Sequence, residues 1–160
     1  MKNVLSFLAA LIILSLCRCA PPPKSGAPLE YTLVDSLSGT KDDLYVKAHE
    51  WLAKTFVSAN DVIQMQDKDA GKLIGKGALS IQTDNGVLMG GVKTSYVRYT
   101  LSITVKTGKY KCVISDFTPD KNSPFVNNRN DSHYKAKVNI YGENLLADLK
   151  KYMHSKGDDF

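Results

Sequence analysis

The sequence predicts an α+β domain: a curved antiparallel β-sheet with two amphipathic helices packed on one face, in the order β-α-β-β-β-β-α. Three observations predict it. Residues 40–56 and 143–156 repeat apolar side chains at helical spacing, whereas residues 62–117 alternate apolar and polar with a period of two. Such alternation belongs to strands with one covered face and one wet face. Two helices, each with a single apolar stripe, are the economical cover for that sheet.

Residues 30–35 (E-Y-T-L-V-D) are expected to form a short strand, turned by residues 36–39. The first helix opens on Thr40-x-x-Asp43, a capping-box pattern, with Asp42 and Asp43 placed at its positive end. Leu44, Ala48, Trp51, Leu52 and Phe56 make its apolar face, and Ser58, Ala59 and Asn60 are expected to end it. Residues 62–66 form a strand that turns through Asp67-Lys68-Asp69-Ala70-Gly71. In residues 72–81, Leu73, Leu79 and Ile81 share a face with Gly75 and Gly77 between them, as if a helix packs closely there or the sheet bends. Val97, Tyr99, Leu101, Ile103 and Val105 line one side of residues 96–106. Thr107-Gly108 is a tight hairpin signal, and Tyr110, Cys112 and Ile114 continue the apolar face on the return.

Residues 118–132, polar and rich in Asn and Pro, are expected to run as a surface loop. Tyr134, Ala136, Val138 and Ile140 alternate, the pattern of a further short strand. The final helix is expected from about Glu143 to Lys156, with Leu145, Leu146, Leu149, Tyr152 and Met153 on one face, Lys150 and Lys151 near its negative end, and Gly157 as its stop.

Three N-terminal features have the form of a bacterial export signal over residues 1–19. They are a basic start at Lys2, an apolar run from about Val4 to Leu16, and a small-residue exit ahead of Pro21-Pro22-Pro23. The run is shorter than the roughly 20 residues of a membrane span. Export to the periplasm or the membrane surface is therefore expected, and genomic DNA is not expected as a partner. Cys17 and Cys19 both stand where a lipid anchor would be attached, although Leu16 and Arg18 are poor residues to precede a lipidated cysteine. Soluble release by a cut near Ala20 is the alternative. Residues 20–29 form a Pro-rich tether, and residues 30–160 a single domain. Loss of residues 1–19 removes Lys2 and Arg18 and no acid, lowering the formal charge from +5 to +3, too small a surplus to imply a polyanion by itself. Beyond the signal only Cys112 remains, and its place in an alternating run marks a buried small hydrophobe rather than a reactive thiol.

Three runs carry a resemblance: K-D-D-L-Y-V-K-A-H-E-W-L-A-K-T-F, D-V-I-Q-M-Q-D-K-D-A-G-K-L-I-G-K-G, and V-R-Y-T-L-S-I-T-V-K-T-G-K-Y-K-C-V-I-S-D-F. With Leu44, Tyr45, Trp51, Leu52, Gly71, Gly75, Lys76, Gly77, Tyr99, Tyr110 and Phe117 in place, residues 30–118 resemble a Bacteroidetes envelope-protein family. That family is a domain of unknown function with a TATA-binding-protein-like (TBP-like) fold. The resemblance implies the fold and an envelope location. It implies no catalytic residues, and the name of the fold does not imply DNA binding.

Catalytic and metal-binding motifs break down on inspection. His49-Glu50 begins a zinc-protease signature, but the second histidine would fall on Ala53. His133 and His154 have no ligand-spaced neighbours. Asp67-x-Asp69-x-Gly71 starts like a calcium loop without its later acids, and a hairpin turn accounts for it. The G-K-L-I-G-K-G run lacks phosphate-loop spacing and a Ser or Thr after Lys76. Ser102 has no evident His and acid partners. No catalytic residue, metal or cofactor is expected.

The wet face of the sheet is the candidate binding surface, with Lys72, Lys76, Tyr96, Arg98, Lys106, Lys111 and Phe117 on it, together with Ile74, Thr100 and Val113. Cations, hydroxyls and aromatics on a sheet suit an envelope protein, a glycan or a lipid headgroup; a solvated face of strand-favouring residues is the plainer alternative. The function expected is non-enzymatic binding in the cell envelope through this face or the 118–132 loop. The alternatives are an unrecognised enzyme acting on envelope glycan or peptide, and a structural lipoprotein that holds a partner at the membrane.

Overall fold

A computed structural model describes residues 29–56, 63–84 and 91–155. The chain runs β1 (Tyr31–Ser36), α1 (Lys41–Thr55), β2 (Ile63–Asp67), β3 (Lys72–Asp84), β4 (Val92–Lys106), β5 (Lys109–Pro119) and α2 (Ser132–His154). The five strands form one antiparallel sheet in the order β1-β5-β4-β3-β2. Strands β2 to β5 make a meander. β1 sits at the far edge beside β5, and α1 links the two edges of the sheet.

Helix α1 starts as its sequence dictates. The Thr40 hydroxyl accepts from the Asp43 amide at 3.2 Å, and the Asp43 carboxylate accepts from the Thr40 amide at 3.1 Å. Its inward face buries Leu44, Ala48, Trp51 and Leu52 in one core with Val97, Leu101, Ile103, Val105, Cys112 and Ile114 of the sheet. The Trp51 indole donates to Asp148 of α2 at 2.8 Å, so a large apolar ring keeps a partner for its N–H where the helices meet. Tyr152 of α2 donates to Glu50 at 3.3 Å, and its ring lies 5.0 Å from the Lys54 ammonium.

Where alternation predicts a strand over residues 134–140, the chain is helical: α2 begins at Ser132. Tyr134 and Val138 fit either period, but the buried set continues through Gly142, Leu145, Leu149 and Met153 at steps of three and four. Ala136 and Ile140, inward on a strand, face solvent. Asp131 caps this helix by accepting from the Tyr134 amide at 3.0 Å. Gly142 stands mid-helix because the Tyr31 ring lies on it; a Cβ there would come within 2.6 Å of that ring. Gly77 has a similar cause. Its cross-strand partner Tyr99 occupies the place of a side chain, where a close helix or a bend of the sheet is the expectation.

Residues 120–131 run through turns, yet they are not wholly superficial: Phe125 is buried against Tyr134, with ring centroids 5.5 Å apart. Leu29, the last residue of the expected tether, packs on the core. The export signal, the rest of the tether, the expected end of α1 at residues 58–60 and the expected stop at Gly157 lie outside the described residues.

Candidate binding face

Because both helices lie on one side, the other side of the sheet presents the alternate residues of each strand. Strand register places them in rows. Val34, Lys111, Thr104 and Lys72 are successive cross-strand partners, as are Thr32, Val113, Ser102 and Ile74. Ser115, Thr100 and Lys76 form a third row, and Thr118, Arg98 and Ala78 a fourth. Lys76, Tyr96, Arg98, Lys106 and Lys111 are exposed on this face and Lys72 is half-buried, so the structure brings six of the seven predicted face residues together.

Phe117 is the correction. It is 6 % exposed and belongs to the core, edge-on to Tyr31 at 5.7 Å and tilted against Tyr99 at 5.8 Å. The cause is a β-bulge. Thr100 pairs with Ser115 but Arg98 pairs with Thr118, so Asp116 and Phe117 together oppose Tyr99. Asp116 takes a φ of 59°, in the left-handed region that Asp tolerates better than most residues. The extra residue inverts the alternation, sending Phe117 and Pro119 inward and Asp116 outward.

Sequence reasoning missed three cations. Lys109 sits opposite Lys106 across the hairpin and beside Ser36. Lys93 and Lys121 flank a cleft at the other end, where β4 begins and β5 leaves the sheet. Lys93 has the strand parity of Ser95 and Val97, so alternation alone would not place it beside Tyr96 and Arg98, and nothing local in the sequence brings Lys121 near it. Val34 is 65 % exposed on the same face, and Met65 lies next to Ile74 at the β2 edge.

Several other titratable groups are engaged within the fold. The Asp35 carboxylate accepts from His154 at 2.8 Å and lies 3.5 Å from the Lys150 ammonium, tying edge strand β1 to the end of α2. The His154 hydrogen bond is the largest influence holding that carboxyl below its usual range. Tyr99, hydrogen-bonded to Tyr141 at 2.7 Å, has its phenol pushed well up by burial. Cys112 is fully buried, and desolvation pushes its thiol up to about 12, which makes it inert at neutral pH. His133 stacks on Phe125 at 6.2 Å, and His49 is half-buried on α1. Residues 68–71 form the expected turn, with Asp67 accepting from the Ala70 amide at 2.8 Å and Gly71 at a φ of 64°. Among the described residues, no three His, Cys, Asp or Glu side chains converge as a metal site, and no helix is long and apolar enough to cross a membrane.

A five-stranded antiparallel sheet with two helices on one face and an open opposite face defines an α+β protein of TBP-like architecture. The family model described as DUF4468, a domain of unknown function with TBP-like fold, matches residues 31–119, and the chain belongs to that family. A crystal structure of a DUF4468 family protein from Bacteroides ovatus is similar with a TM-score of 0.63 at 13 % identity, covering 86 % of this chain and 93 % of the other. A TBP-like protein from Parabacteroides distasonis is similar with a TM-score of 0.63 at 15 % identity, covering 84 % of this chain and 98 % of the other. At such identities the likeness concerns the fold alone. A comparison with curated proteins found no match.

Proposed function

We propose that the protein is an exported, non-enzymatic domain of the cell envelope that binds an acidic partner through its open sheet face. The observation that carries this is the concentration of Lys72, Lys76, Arg98, Lys106, Lys109 and Lys111 on the side of the sheet away from both helices. Six cations on one face stand out in a chain whose formal charge is only +5. Clustering of one sign raises the local potential, speeds encounter with an opposite charge and makes binding salt-dependent. Half-buried Val113 and Ile74, with exposed Val34 and Met65, give the face an apolar component once a partner excludes water.

The envelope location rests on the N-terminal export pattern, and the binding role on the charge and exposure of the face. Charge reversal tests the role. The variant carrying Lys76→Glu, Lys106→Glu and Lys111→Glu should lose at least tenfold in retention on isolated envelopes at low salt while unfolding at the wild-type temperature. Unchanged retention would remove this face from consideration.

A further inference from the structure

At one end of the open face a cleft of about 590 Å³ lies between the start of β4 and the chain leaving β5. That is within the range of small-ligand sites, about 300–1,000 Å³. Lys93, Tyr96 and Arg98 line it from the sheet, and Asp120, Lys121 and Asn122 from the following turn. The turn is held in place by backbone bonds: the Asp120 amide donates to the Tyr96 carbonyl at 2.9 Å, and the Ser123 amide donates to the Asp120 carbonyl at 2.8 Å.

Three cations meet one acid here, and the acid has a second role. Asp120 accepts from the Arg98 Nε at 3.2 Å, which orients the guanidinium and leaves its other N–H donors to a ligand. The Arg98 side chain is 76 % exposed, and Lys93 and Lys121 have no ion pair among the described residues. Tyr96 is 50 % exposed and offers an aromatic surface beside them. Ser95, also lining the cleft, is 4 % exposed, and its Oγ is a buried polar atom without a hydrogen-bond partner. Such an atom is destabilising unless a bound group or water satisfies it.

We infer that this cleft binds an acidic sugar residue, an assignment that rests on the open-face reading above and gives it a ligand class. A bare phosphate needs only donors. A sugar acid needs donors for its carboxylate, acceptors for its hydroxyls and a surface for its ring. Arg98 with Lys93 and Lys121 meets the first need, the Asp120 carboxylate and the Asn122 carbonyl the second, and Tyr96 the third.

The probe is tetragalacturonate, compared by calorimetry and amide chemical-shift mapping with its methyl ester, inorganic phosphate and phosphatidylglycerol vesicles. Tetragalacturonate should bind saturably and shift amides in residues 93–98 and 118–123. Tyr96→Ala and Arg98→Ala should each weaken binding about tenfold or more, with Arg98→Lys intermediate. Equal binding of the methyl ester, binding of phosphate or vesicles alone, or shifts confined to the Lys106–Lys111 end would overturn the assignment. Should the Lys76, Lys106 and Lys111 reversal abolish envelope retention while tetragalacturonate fails to bind the wild type, the cleft is wrong and the face stands. Should retention survive that reversal as well, both are wrong.

Discussion

At the scale of single residues, the two sides of the sheet are shaped by positions where a side chain is missing or out of step. Asp116 is one. The alternation of Tyr110, Cys112 and Ile114 points to an outward Phe117, and without the bulge that ring would stand among the lysines. No glycine marks the bulge, because an aspartate adopts the positive φ that a glycine usually supplies, so the sequence contains no sign of the inversion. Gly142 is the other. In an ordinary helix its replacement by alanine would stabilise by about 1 kcal/mol. Here the new methyl group meets the Tyr31 ring, and overpacking of that kind costs about 1–3 kcal/mol. Gly142→Ala is therefore expected to destabilise by up to about 2 kcal/mol in urea unfolding, and Tyr31→Ala should make the second substitution harmless. A gain of stability in the single variant would show that the ring is not seated there.

Among the elements, α1 and the three long strands were legible because a capping box, a tight hairpin and a period of two, broken only by the bulge near the end of β5, each point one way. The first half of α2 was not. Tyr134 and Val138 are four apart, a spacing shared by both periods, and the buried glycine that continues the stripe is not an apolar side chain. The end of α2 is fastened to β1 through Asp35, which faces His154, Lys150 and the Tyr110 phenol at 3.4 Å. The carboxyl's folded pKa is depressed, so its contribution to stability is present above the unfolded value of about 4 and lost as pH falls through the folded one. Asp35→Asn should be less stable than wild type at pH 7, with the gap closing below roughly pH 4. A gap that stays constant across this range, measured by thermal unfolding, would mean the contact contributes through shape alone.

For the molecule as a whole, the sequence foretold which face of the sheet would be open and six of the seven residues on it, because charge and alternation are local properties. The cleft was hidden. Lys93 and Lys121 are brought together by the pairing of β4 with β5 and by the turn that follows, neither of which any single stretch encodes. The central claim is that an acidic envelope partner covers the side of the sheet opposite the helices. Lysine acetylation footprinting tests it most directly, with full-length protein labelled in the presence and absence of isolated envelopes and each lysine read by mass spectrometry. Lys72, Lys76, Lys106, Lys109 and Lys111 should be protected several-fold, while Lys135, Lys137 and Lys151 of α2 react as in the free protein. Protection of the α2 lysines with the sheet lysines unchanged would place the partner on the helical side and contradict the account.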